Sequence, residues 1–92
     1  MAVIWTKQSV RQLNKYADYI AEDNVLAAEK WVLSLLDKTN QLSKMPMSGR
    51  IVPEYNDPKL REIIEGDYRL IYRIKKDTVY VLSVRHSRQN LK

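Results

Sequence analysis

Arg61, Arg69, Arg73, Arg85, His86 and Arg88 follow one another through the carboxy-terminal half of the chain, with Glu54 upstream of them. Guanidinium groups gathered on one surface suit phosphate, because each can donate two parallel hydrogen bonds to paired oxygens. With a carboxylate and an imidazole added, the set has the parts of a metal-free ribonuclease. Such an enzyme needs a base for the 2′-hydroxyl proton, cations for the charged phosphorane and an acid for the leaving oxygen. In that scheme Glu54 is the base, Arg61 and Arg69 are the stabilisers, and His86 is the acid or a further base. A plainer alternative makes Glu54 a loop carboxylate and His86 a strand-end residue with local hydrogen bonds. Arg61, Arg69, Arg73, Arg85 and Arg88 are then left to hold phosphate or an acidic protein partner.

Other chemistries lack their parts. The 92 residues include no cysteine and one histidine, which excludes disulfides, thiolate metal sites and multi-histidine sites. No glycine-rich phosphate loop, nucleophile elbow or paired acidic cluster is present, so neither a metal nor a cofactor is expected. The net charge of +5 is uneven, with residues 1–49 balancing at +1 and residues 50–92 at +4. The amino terminus, MAVIWTKQSV, has no basic stretch followed by a long apolar one, and no apolar run approaches the ~20 residues of a membrane span. A cytoplasmic protein of one domain, residues 1–92, with no membrane association, is expected.

The elements that must position these groups are legible from periodicity. Residues 2–5 are short, apolar and partly β-branched, as in a first strand. Thr6 suits a helix cap, and Val10, Leu13, Ala17 and Ile20 then recur at helical spacing, predicting a helix over residues 7–21. After Asp23 and Asn24, the positions Ala28, Trp31, Val32, Leu35, Thr39 and Leu42 predict a second helix over 25–43, antiparallel to the first. Pro46 stops it, and a long connection follows with a strand candidate at 60–65. Residues 68–74 alternate, with Tyr68, Leu70, Tyr72 and Ile74 facing one way and Arg69, Ile71 and Arg73 the other. Lys75, Lys76 and Asp77 turn the chain into an apolar strand over 78–84, and a polar tail runs from Arg85 to Lys92. The fold class expected is α+β, an N-terminal helical hairpin packed on a small, mainly antiparallel sheet of three to four strands. The helix-free face would present Arg69 and Arg73, and Arg61, Arg85, His86 and Arg88 would converge on it.

The order of these pieces resembles the RelE/ParE superfamily of bacterial toxins, also filed as plasmid-stabilisation proteins. The carriers are the Ile4–Trp5 strand, Asp18-Tyr19-Ile20-Ala21-Glu22-Asp23, the Leu42…Pro46…Ser48-Gly49-Arg50 stop and Val52-Pro53-Glu54. They continue through Leu60-Arg61-Glu62-Ile63, the run from Tyr68 to Ile74 and Val84-Arg85-His86-Ser87-Arg88. The resemblance implies a growth-inhibiting toxin of a type II toxin–antitoxin system, neutralised by direct binding of a cognate antitoxin. An acidic, partly disordered antitoxin segment would suit the basic half. The superfamily splits between RelE-like and YoeB-like nucleases, which cut messenger RNA on the ribosome, and ParE-like members, which poison DNA gyrase. Glu54, Arg61 and Arg69 stand where YoeB-like toxins have a loop glutamate and two strand arginines, and His86 lies near their carboxy-terminal histidine. Lys59 is the only lysine between Lys44 and Lys75, however, and no tyrosine follows Tyr80, so the nuclease branches' lysine cluster and catalytic tyrosine are missing. The balance favours a gyrase inhibitor, with a ribosome-dependent, metal-independent endoribonuclease as the alternative.

Overall fold

The computed structural model describes residues 1–88; residues 89–92, the end of the polar tail, lie outside the described residues. The chain runs β1 (Ala2–Trp5), α1 (Lys7–Asp23), α2 (Val25–Gln41), β2 (Arg50–Ile51), β3 (Leu60–Glu65), β4 (Tyr68–Lys75) and β5 (Thr78–His86). Thr6 starts α1 twice over. Its hydroxyl oxygen accepts the Ser9 N–H at 3.2 Å and its O–H donates to the Val81 carbonyl at 2.9 Å, which pins the helix start to the sheet. Asn24 is extended, so it ends α1, and its Oδ1 accepts the Ala27 N–H at 3.0 Å, which caps α2. One residue therefore reverses the chain and makes the helices an antiparallel hairpin.

The sheet order is β1-β5-β4-β3-β2, with β1 parallel to β5 and every other pairing antiparallel. The hairpin lies on one face. Leu13, Trp31, Leu35 and Leu42 pack there against Tyr68, Leu70, Tyr72, Val79, Val81 and Val84. Tyr68 and Tyr72 are thus core residues, as the alternation of β4 requires. A smaller apolar cluster of Val52, Leu60 and Ile71, with Leu82 against it, occupies the other face.

The sheet has five strands rather than three or four. The extra one, β2, is two residues long and pairs Arg50 with Glu62 and Ile51 with Arg61. Pro53, which has no N–H to donate, follows closely and limits it. The second helix ends at Gln41, because the Leu42 N–H turns back to the Thr39 carbonyl at 3.0 Å. The first helix runs two residues beyond its expected end, to the Asn24 stop. The register of β4 and β5 shifts between Ile71 and Tyr72, which pair with Ser83 and Val81 and leave Leu82 as the extra residue of a β-bulge. No helix among the described residues is long and apolar enough to cross a membrane.

Candidate functional site

The helix-free face carries Arg69, Ile71 and Arg73 of β4, as alternation dictates, and Leu60 and Glu62 of β3 opposite them. The connection from Val52 to Lys59 folds back over part of this face and brings Glu54 above Arg69. Arg69 Nη1 and Nη2 donate to Glu54 Oε2 and Oε1 at 2.7 and 2.8 Å. Its Nε donates to Glu62 Oε1 at 2.7 Å. The other oxygen of Glu62 accepts from Arg50 Nε at 2.5 Å. Two cations and two anions therefore alternate in one row, Arg50–Glu62–Arg69–Glu54. Its inner members are closed off from water, with 6% of the Arg69 side chain and none of Glu62 accessible.

Electrostatics follow from this packing. Arg69's hydrogen bonds hold the Glu54 carboxyl down to about 2, against a desolvation that works to raise it. The same bonds, with those to Glu62, push the Arg69 guanidinium further above its ordinary value. A carboxylate this weakly basic has little affinity for a proton at neutral pH, and a guanidinium already held in a bidentate clasp has no fork to offer a phosphate.

The other expected site residues do not join this row. Arg61 lies in register with Tyr72 and so points to the helix side of the sheet. Its Nε donates to the Pro58 carbonyl at 2.9 Å, and its Nη1 donates to the carbonyls of Met47 and Gly49 at 3.1 and 2.9 Å. It stitches the long connection to β3. His86 pairs with Tyr68 and lies on the helix side too, its ring edge-on to Tyr68 at 5.4 Å between centroids. The bulge at Leu82 is the cause: it reverses the alternation of β5, so that Val84 and His86 share the face of Val79 and Val81. The expected convergence of Arg61 and His86 with Arg69 on one open surface is therefore corrected: Arg69, Arg73 and Arg85 take the open face, and Arg61 and His86 the helix side.

Arg73 and Arg85 do remain on the open side. Arg73 meets Asp57 at 3.3 Å, with both side chains about two-fifths accessible. Arg85 stands beside Arg69 in register, and Arg88 is exposed past the strand end. Neither Arg85 nor Arg88 has an ion pair among the described residues. Between Arg73 and Arg85 runs a groove of about 500 Å³ with Leu60, Ile71 and Leu82 on its floor. A second groove, of about 480 Å³, lies on the hairpin among Ala21, Val25, Ala28, Val32 and Leu33. Val25 and Leu33 expose 61% and 65% of their surface there, and Leu26 nearby exposes 66%, which is unusual for large apolar side chains without a partner.

Sequence reasoning missed Glu62, Arg50 and Tyr72 as organisers. Tyr72 Oη accepts the Gly49 N–H at 3.0 Å and donates to the Pro46 carbonyl at 2.7 Å, so a core tyrosine anchors the connection that carries Glu54. Nothing in a single sequence announces that hook or the pairing of Glu62. Among the described residues no cluster of three or more histidine, cysteine, aspartate and glutamate side chains is able to hold a metal.

The family model described as the ParE toxin of the type II toxin–antitoxin system parDE matches residues 3–91. Toxin RelE2 of Caulobacter vibrioides is 28% identical over 86 residues, covering 92% of this chain and 93% of that protein. A putative toxin, Y4kP, of Sinorhizobium fredii is 32% identical over 87 residues, covering 92% of this chain and 86% of that protein. Among solved structures, a chain of the chromosomal ParDE system of P. aeruginosa superposes with a TM-score of 0.75 at 20% identity, covering 94% and 95% of the two chains. A chain of the RelBE2 toxin–antitoxin complex of Mycobacterium tuberculosis superposes with a TM-score of 0.58 at 26% identity, covering 92% and 95%.

Proposed function

The chain belongs to the ParE toxin family of type II toxin–antitoxin systems, and on that premise we propose that it arrests growth as a ParE-like, non-catalytic inhibitor of DNA gyrase. The observation that carries this reading is the condition of the groups a nuclease would use. Arg69 is clasped by Glu54 and Glu62, Arg61 is bonded to three backbone carbonyls, and His86 lies across the sheet from both carboxylates. A nucleolytic site needs base, cations and acid within reach of one phosphate. The sequence also lacks the lysine cluster and the terminal tyrosine that the resemblance associates with cutting.

Antitoxin binding accounts for the two surfaces that folding leaves uncovered. The hairpin groove offers apolar area to an amphipathic partner element, and the open face offers Arg73, Arg85 and Arg88 to an acidic, partly disordered segment that folds on binding.

The experiment is a direct comparison. Purified toxin should inhibit supercoiling by gyrase, antitoxin should relieve the inhibition, and message on translating ribosomes should stay intact. Cleavage at A-site codons, abolished by Arg69→Ala, would overturn the proposal. One observation favours that second reading: Glu54 and Arg69 do touch, and 24% of the Glu54 side chain is accessible, so a phosphate that displaced Glu54 would find a guanidinium behind it. Under the ribonuclease reading Glu54→Gln and His86→Ala both relieve growth arrest; under gyrase inhibition neither does.

A further inference from the structure

The groove on the open face has an apolar floor and a cation at each end. Leu60, Ile71 and Leu82 supply its apolar lining and Arg73 and Arg85 its cations, with Tyr55, Ser83, Thr6 and Gln8 completing the walls. Arg85 is in register with Arg69, and Arg73 lies four residues further along β4. At roughly 3.3 Å per residue the Cα positions that carry the two cations are about 13 Å apart along the strand direction. That is also the span from residue i to residue i+4 of an extended peptide, whose side chains i, i+2 and i+4 point to one side.

We infer that this groove seats an extended peptide segment of the pattern acid–x–apolar–x–acid. Its two carboxylates meet Arg73 and Arg85, and its central side chain rests on Leu60, Ile71 and Leu82. The occupant is the acidic segment of the antitoxin, so the inference rests on the reading above and adds where that segment sits and how it is spelled. Spacing and floor favour a peptide over nucleic acid. A nucleic-acid strand brings a phosphate at every residue, whereas the groove offers two cations with hydrocarbon between them. Arg69, in register with Arg85, is already neutralised by Glu54 and Glu62. Arg73's pairing with Asp57 is long and exposed, so exchanging that carboxylate for the peptide's is inexpensive.

The test titrates the isotope-labelled full chain with the capped peptide Glu-Ser-Leu-Ser-Glu and with the misspaced Glu-Ser-Leu-Glu-Ser, followed by amide NMR shifts. Saturable shifts are expected at Leu60, Ile71, Leu82 and Ser83, with the correctly spaced peptide binding about fivefold tighter. Arg73→Gln combined with Arg85→Gln should weaken it about tenfold, the equivalent of 1.4 kcal/mol. The spacing comparison needs no protein variant, so it decides the matter even if that double variant unfolds. Equal affinity for the two spacings, shifts confined to the hairpin groove, or tighter binding of a uridine pentanucleotide at the same amides would each overturn the inference. The protein encoded beside the toxin gene separates the two levels. If it fails to bind the native chain, the antitoxin reading fails. If it binds native chain and folded double variant equally, only the groove assignment fails.

Discussion

Removing Arg69 isolates a carboxylate that has no access to water. In Arg69→Met, Glu62 keeps Arg50 on one oxygen, while its Oε1 loses its partner inside a site where none of its side chain is exposed. Glu54, by contrast, swings into solvent. Breaking one partner of a buried pair costs about 3 kcal/mol, the low end of the usual range being apt because Arg50 remains. For a domain of this size that lowers Tm by roughly 12–24 °C. Glu62→Leu should cost less, about 2 kcal/mol, because Arg69 keeps both of its bonds to Glu54 while its Nε and Nη2 lose the one Glu62 oxygen they share. The double variant Arg69→Met/Glu62→Leu leaves no orphaned charge and fills the space with hydrocarbon. It should be destabilised by less than the Arg69 single variant, with a coupling of at least about 2 kcal/mol. Urea and thermal denaturation of the four proteins, followed by circular dichroism at pH 7, measure the cycle. If the two single losses add to within about 0.5 kcal/mol, the row of alternating charges is not the coupled unit described above. The same numbers warn that growth arrest lost in an Arg69 variant speaks to catalysis only if the variant is folded at the assay temperature.

Glu54 should titrate near 2 in the folded chain and return toward 4.5 when Arg69 is replaced by Met, as read from its side-chain carboxyl carbon by NMR. Because the folded value lies below the unfolded one, the stabilisation from this group is present above about 4.5 and fades as pH falls toward 2; a native midpoint at 4.5 would refute the clasp. Tyr72→Phe removes one hydroxyl but orphans the Gly49 N–H and the Pro46 carbonyl, and should cost about 1–2 kcal/mol in thermal denaturation. Gly49→Ala should be at least as damaging, since a Cβ there would sit 2.6 Å from both the Glu62 carbonyl oxygen and Tyr72 Oη; wild-type melting of either variant would contradict the anchor. Association with the antitoxin should slow as salt rises from 0.05 to about 0.5 M, while dissociation changes little, in stopped-flow measurements. A rate insensitive to ionic strength would remove the acidic segment from the account.

Much of the fold was legible because burial imposes a period. Trp31 and Leu35 lie on the buried stripe their spacing predicts, and Tyr68, Leu70 and Tyr72 face the helices as alternation requires. Thr6 and Asn24 declared helix starts because a side-chain oxygen at that position satisfies an otherwise unpaired N–H. The family resemblance was legible for the same reason, being an ordered string of such local signals, and the match over residues 3–91 bears it out. Local pattern also put Arg69 and Arg73 on one face, since they are an even number of residues apart within one regular strand.

Pattern stopped at the first irregularity. Whether His86 faces Arg69 depends on the bulge at Leu82, and 78–84 reads as nearly unbroken apolar sequence with no mark of where one residue will be squeezed out of register. Whether Arg61 faces Arg69 depends on which alternate set of β3 goes inward, and Leu60, Glu62 and Ile64 look no different in character from Arg61, Ile63 and Glu65. The sequence by itself thus determined the two helices, the four longer strands, the family and the supply of cations, though not the two-residue β2. Only the tertiary structure decided that Arg69 is held by Glu54 and Glu62 while Arg85 stands on the open face without an ion pair among the described residues and Arg73 has only an exposed one to Asp57. A charge's partner is set by distances of about 3 Å between residues far apart in the chain, and no one-dimensional period encodes those distances.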